Sequence, residues 1–171
     1  MTIKTLKQFC GDDDTREILK QPSSQDDWTW ATDGRMVVRV PRMADVPEVE
    51  RYPKCSMVFG QYQPDGDWQP LPKIPPQESS ECSCSKCHGS GECRCKNCQC
   101  KHLCGVCDGS GQITVTTKTV IGKRSLNDFF LRKLALLPKI EVNTSGDNPE
   151  SPMSFRFDGG CGLLMPMSEK Q

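Results

Sequence analysis

Apolar residues along this chain alternate with polar ones in short runs more often than they recur at helical spacing. In "WTWATDGRMVVRVPR", two strand-like runs flank Asp33-Gly34, a dipeptide that signals a tight turn and so predicts a hairpin. Three more runs near the C-terminus, "KIEVN", "MSFRFD" and "CGLLMPM", read as strands, with Asp158-Gly159-Gly160 turning between the last two. Helical spacing is confined to two places. Ile3, Leu6, Lys7 and Phe9 with their neighbours predict a short amphipathic helix. In "SLNDFFLRKLALLP", Leu126, Phe130, Leu134 and Leu137 fall on one face, with Ser125 as the expected cap, Asp128 at the third position and Pro138 as the stop. Each half of the chain reads as helix, then strands. The expected class is α+β: one helix-plus-antiparallel-sheet domain.

Between the halves the pattern breaks. "QPDGDWQPLPKIPPQESS" carries Pro64, Pro70, Pro72, Pro75 and Pro76, which oppose helix and predict a turn-rich linker. "QITVTTKTVIGKR" reads as one strand through Ile113, Val115, Thr117 and Val120. The segment between them is therefore expected to be an insertion. The division is 1–77 for the first half with its linker, 78–112 for a loop-rich inserted module, and 113–171 for the second half.

Composition sharpens this picture at one point. Of the 171 residues 12 are cysteine, and nine of those lie between Cys82 and Gly111. The 22 basic residues balance 22 acidic ones, which argues against a general nucleic-acid coat. The N-terminus lacks the apolar core of a signal peptide and no stretch approaches a membrane span, so a cytoplasmic location without a membrane partner is expected. In a reducing compartment, clustered cysteines at short spacing read as metal ligands before they read as disulfides.

The ends of the cluster repeat one pattern, Cys84-Ser-Lys-Cys87-His-Gly-Ser-Gly and Cys104-Gly-Val-Cys107-Asp-Gly-Ser-Gly. A two-residue spacer lets both thiolates of a turn reach one ion, and two such knuckles complete a tetrahedron, so Cys84, Cys87, Cys104 and Cys107 are assigned to one zinc. Between them Cys93, Cys95, Cys98 and Cys100 supply four more thiols for a second zinc, with Cys82 or His102 as substitute ligands. Two zinc ions are expected. Cys10, Cys55 and Cys161 are isolated and read as buried or incidental thiols. The acidic run Asp12 to Asp14 reads as a solvated loop, and Trp28, Trp30 and Trp68 as packing residues.

The CxxCxGxG pattern at both arms resembles the cysteine-rich zinc module of DnaJ-type co-chaperones. In that family the first and fourth repeats share one zinc and the inner repeats share another, which implies the same two sets here. The inner repeats of this chain are compressed and lack the family's glycines. His88 and His102 are the only histidines and neither precedes proline, so the His-Pro-Asp loop of a J-domain is missing. With eight thiolates on two zinc ions the module would carry about −2, a poor phosphate clamp, and a protein partner suits it better than DNA.

A second resemblance covers more of the chain. "SLNDFFLRKLALLPKIEV" and "PMSFRFDGGCGLLMPM" are similar to the end of a bacterial sliding-clamp domain, and "ATDGRMVVRV" to that family's strand turn. The resemblance implies a duplicated helix-plus-sheet unit. It also implies that Met165, Pro166 and Met167 border a pocket for partner peptides. Clamps carry three such domains and no zinc module, and this chain has room for one. From Gln112 to Ile140, six basic residues oppose only Asp128. Lys123, Arg124, Arg132 and Lys133 are the candidate DNA-facing group.

The expected function is a non-catalytic zinc-binding adaptor for a replication, repair or phage–host protein complex, since an all-thiolate site leaves no open position for substrate water. Two alternatives accompany it. One is a clamp-like DNA-binding subunit that self-assembles as a homo-oligomer, and the other is a thiol-disulfide or holdase protein that uses the module's cysteines.

Overall fold

The run Met36 to Val40 is apolar at every position but Arg39, so a strand built from it must be covered on both sides. The computed structural model meets that requirement. It describes residues 1–12, 14–76, 81–94, 100–105, 107, 109–114 and 117–167. The chain forms two units, Met1–Ile74 with Lys118–Gln171, and Pro75–Thr117. In chain order the elements are α1 (Ile3–Lys7), β1 (Ser23–Gln25), β2 (Trp28–Thr32), β3 (Met36–Pro41), α2 (Cys55–Phe59) and β4 (Trp68–Pro70). The smaller unit then contributes β5 (Glu81–Ser83), β6 (Glu92–Arg94), β7 (Lys101–Leu103) and β8 (Gln112–Thr114). The larger unit resumes with β9 (Lys118–Ile121), β10 (Arg124–Asn127), α3 (Asp128–Leu134), β11 (Glu141–Asn143), β12 (Met153–Phe157) and β13 (Gly160–Leu164).

The larger unit is α+β, centred on a seven-stranded antiparallel sheet in the order β1-β2-β3-β13-β12-β11-β4. Strands β1 to β3 of the first half and β11 to β13 of the second run inward and meet where β3 pairs with β13, Val38 opposite Gly162, while β4 of the first half takes the far edge. Period-two alternation sends Met36, Val38 and Val40 to one face. There they join Met153, Phe155, Leu164 and the buried sides of α1 and α3, through Leu6, Phe9, Leu131 and Leu134. Val37, Trp30 and Leu163 point the other way, onto Leu19, Tyr52, Cys55 and Phe59. Arg39 shares this second face, its guanidinium 4.2 Å from the Trp28 ring centre and 4.0 Å from that of Phe59. The aromatic faces shelter its charge. Gly162 interrupts β13 because the Phe155 ring, opposite it on β12, occupies the space of a side chain.

Both predicted turns form. Gly34 takes φ +86, and the Asp33 Oδ1 atom accepts from the N–H groups of Arg35 and Met36, each at 2.9 Å. Gly159 takes φ +97 between β12 and β13.

Four local expectations are corrected. Ser125 does not cap the long helix, because it is engaged in β10 opposite Val120; Asn127 caps α3 instead, its side chain accepting from Phe129 N–H at 2.9 Å. Leu126, assigned to the helical face, lies in the same strand and is still fully buried. The Pro-rich linker supplies β4, which pairs with β11 at the sheet edge, where Pro70 opposite Glu141 can lack a donor without breaking an interior ladder. Finally, the single strand expected over residues 112–124 is β8 of the smaller unit and β9 of the larger. Ile113 packs on cysteines and Ile121 in the main core. Among the described residues no helix is long and apolar enough to cross a membrane.

Candidate metal centre

The smaller unit is built twice on one plan, offset by twenty residues. β5 leads into Cys84 and Cys87 and leaves through β6, while β7 leads into Cys104 and Cys107 and leaves through β8. The halves clasp each other, β5 pairing with β8 and β6 with β7. Each first cysteine donates its N–H to the other half's last glycine carbonyl, Cys84 to Gly111 and Cys104 to Gly91, both at 2.8 Å. Within each knuckle a serine closes the turn: the Ser90 and Ser110 hydroxyls donate to the carbonyls of Cys87 and Cys107 at 2.7 Å.

This clasp turns four sulfurs inward. Cys84 and Cys104 are fully buried, and Cys87 and Cys107 nearly so. The Sγ atoms of Cys84 and Cys104 are 3.8 Å apart, those of Cys87 and Cys107 3.7 Å, and all four lie within 4.8 Å of one another. A tetrahedral zinc with bonds of about 2.3 Å needs sulfur–sulfur edges of about 3.8 Å. The donor set fits zinc in element, number and spacing.

The surroundings act unequally on these thiols. Burial pushes the Cys107 thiol up to about 11, against the Gly111 N–H that reaches its sulfur at 3.3 Å. At Cys87 burial also opposes ionisation, but N–H donation from Gly91, with Cys107, Cys84 and Gly89 adding to it, outweighs that and lowers the thiol below its ordinary value. Four adjacent buried sulfurs become four thiolates only around a divalent ion that neutralises them.

The other candidates are distributed differently. Cys95 and Cys98 lie outside the described residues. Cys93 turns toward the first cluster and packs against it, and Cys100 is exposed. Cys82 and His102, the substitutes, sit in β5 and β7 opposite Ile113 and Cys93. In the larger unit the basic group is not a single surface. Arg124 is 1% exposed, and its guanidinium donates to the carbonyls of Ser151, Asn143 and Ser145 at 3.1, 3.4 and 2.9 Å. It is a buried strut of the loop before β12, not a phosphate contact. Lys123 lies in the β9–β10 turn and pairs with Asp147 at 2.6 Å. Arg132 and Lys133 alone are on α3, with the Lys133 ammonium 4.8 Å from the Phe129 ring centre and 4.0 Å from Asp33.

Met165 borders an apolar groove of about 490 Å³ whose walls include Leu19, Met36, Val58 and Leu163, with Arg16 and Arg35 also lining it. Pro166 and Met167 do not line it, and Met167 N–H instead donates to Ser125 O at 2.8 Å. Sequence reading passed over Ser90 and Ser110, although the repeated Gly-Ser-Gly was there to mark them, and nothing in sequence marked Arg124 as buried.

The chain matches no protein-family model, no curated protein and no solved structure. The two resemblances drawn from its sequence therefore rest on the motifs quoted for them.

Proposed function

We propose that the chain is a zinc-binding interaction protein, in which the metal organises a small DnaJ-type module and the larger unit offers a groove to a protein partner. The observation that carries this reading is the closed set of Cys84, Cys87, Cys104 and Cys107. Four buried thiolates fill every position of a tetrahedral ion, which suits a structural metal and leaves no site for substrate or activated water. Among the described residues of this unit the apolar interior is those sulfurs with Cys93 and Ile113, so the metal supplies the folding free energy. The groove beside Met165 supports the interaction half of the reading. Its walls are mostly apolar, and Met165 and Val58 are 43% and 47% exposed, a setting that favours burial under a partner's apolar side chains.

Elemental analysis of freshly purified, reduced protein tests the metal assignment. At least one zinc per chain is expected, with one lost in Cys84→Ser or Cys107→Ser together with the protease resistance of the module. Absence of zinc from the wild-type protein overturns the reading.

A further inference from the structure

The groove beside Met165 is uneven in its chemistry. Its walls are aliphatic and sulfur-bearing, and among the described residues neither a carboxylate nor an aromatic ring lines it. The rings of that sheet face are gathered elsewhere, Trp28 and Phe59 around the Arg39 guanidinium and Tyr62 stacked on Phe59. The Thr32 hydroxyl lines the groove but is already engaged, donating to Met36 O at 2.7 Å and accepting from Gly34 N–H at 3.0 Å. Both charged lining residues are arginines, and they come together at Gly34. Arg16 lies across that glycine, so closely that a side chain there would collide with its Nη1 atom, and Arg35 is the next residue along the chain. Among the described residues Arg35 forms no ion pair.

Each feature narrows the chemistry of an occupant. A peptide backbone laid in such a groove would leave buried N–H and C=O groups without partners. An aromatic molecule would find no ring to stack on. An alkyl chain meets neither penalty, and a carboxylate at its head complements the guanidiniums. The volume, about 490 Å³, lies within the range of small-molecule sites, about 300–1,000 Å³. We propose that the groove is a binding site for a medium-chain aliphatic carboxylate, its alkyl chain against Val58, Leu163 and Met165 and its head at Arg35 and Arg16. The site goes beyond the function proposed above, because the ligand is a small molecule. It fills the space that a protein partner's apolar side chains would enter, so the two compete.

Titration of the full-length protein with sodium decanoate tests this, read by NMR of labelled methionine methyl groups. The Met165 methyl should shift saturably, while that of Met153, fully buried on the opposite face of the sheet, should not. Octanoate should bind about tenfold more weakly than decanoate, since two fewer methylenes leave water. Decanol, which lacks the charge, should bind at least about fivefold more weakly than decanoate. Arg35→Gln should weaken decanoate by a similar factor and leave decanol unchanged. Val58→Glu, at a position 47% exposed and so tolerant of charge, should weaken decanoate at least about tenfold by setting a second carboxylate beside the first. An unmoved Met165 methyl at millimolar decanoate overturns the proposal. So does phenylbutyrate binding as tightly as decanoate, or Arg35→Gln binding decanoate as the wild type does. Shifts at Met153 as large as those at Met165 also overturn it, because decanoate is then acting as a detergent. Zinc content, measured on the same sample, decides the metal reading independently of all these outcomes.

Discussion

Gly91 lies so close to Gly109 that a Cβ on Gly91 would run into the Gly109 carbonyl, and both residues are left-handed, at φ +73 and +83. The twin contact runs from Gly111 to the Gly89 carbonyl. A methyl group at either position adds a steric conflict to a backbone cost of about 1–2 kcal/mol. Gly91→Ala and Gly111→Ala should each weaken zinc binding by at least about fivefold, since metal affinity and folding are one equilibrium in such a module. Gly105→Ala, with open space around its Cβ and no left-handed backbone, should leave it unchanged. Competition against a chelator measures all three.

Buried thiols in the larger unit predict alkaline sensitivity. Desolvation pushes Cys10 and Cys55 up to about 11 from an ordinary value near 9. The folded state keeps these protons at pH values where the unfolded chain has lost them, so stability is full below about pH 9 and falls as pH rises toward 11. Each thiol accounts for roughly 2–3 kcal/mol across that window. Urea titrations at pH 8 and pH 10.5 should show the drop, and Cys10→Ala with Cys55→Ala should flatten it. Neither thiol should react with iodoacetamide at pH 8 before unfolding.

Arg124 and Lys123 are adjacent and should behave oppositely. Arg124→Met leaves the Asn143 carbonyl, which is buried, and the part-buried carbonyls of Ser145 and Ser151 short of a donor, and should cost at least about 2 kcal/mol in the unfolding of the larger unit. Lys123→Gln removes only an exposed ion pair with Asp147, and its thermal midpoint should stay close to that of the wild type.

The start of α3 gives a third contrast. Asn127→Ala should cost about 1 kcal/mol by removing the side-chain acceptor of Phe129 N–H. Ser125→Ala, which touches no helix cap, should cost less than half of that. Equal losses in chemical denaturation would return the cap to Ser125.

What could be read in advance was what depends on neighbours in sequence. The knuckle cysteines are separated by only two residues, and the Asp33-Gly34 and Asp158-Gly159 turns lie between strands adjacent in sequence, so their patterns carried over into space. Arg124 shows the opposite case. A lysine and an arginine in a polar turn read as surface charge, and the carbonyls that hold Arg124 come from residues 143–151, too distant along the chain to signal a cradle. Ser125 and Asn127 are both good caps, and only the pairing of β10 with β9 decides between them. Pro70 reads as a strand breaker until the sheet reveals an edge where a missing donor does no harm.

The first and last strands of the smaller unit are each other's partners, with Glu81 opposite Thr114. Strands in a ladder lie about 5 Å apart, so the chain enters and leaves this unit through a doorway one rung wide. Such a unit behaves as a cassette. Replacing it by a few glycines should leave the larger unit with cooperative urea unfolding, because loop closure changes slowly with length. A version permuted to begin at Lys101 and joined from Thr114 to Glu81 would keep the same ligands in the same arrangement, and so carries the metal site into scaffolds of quite different topology.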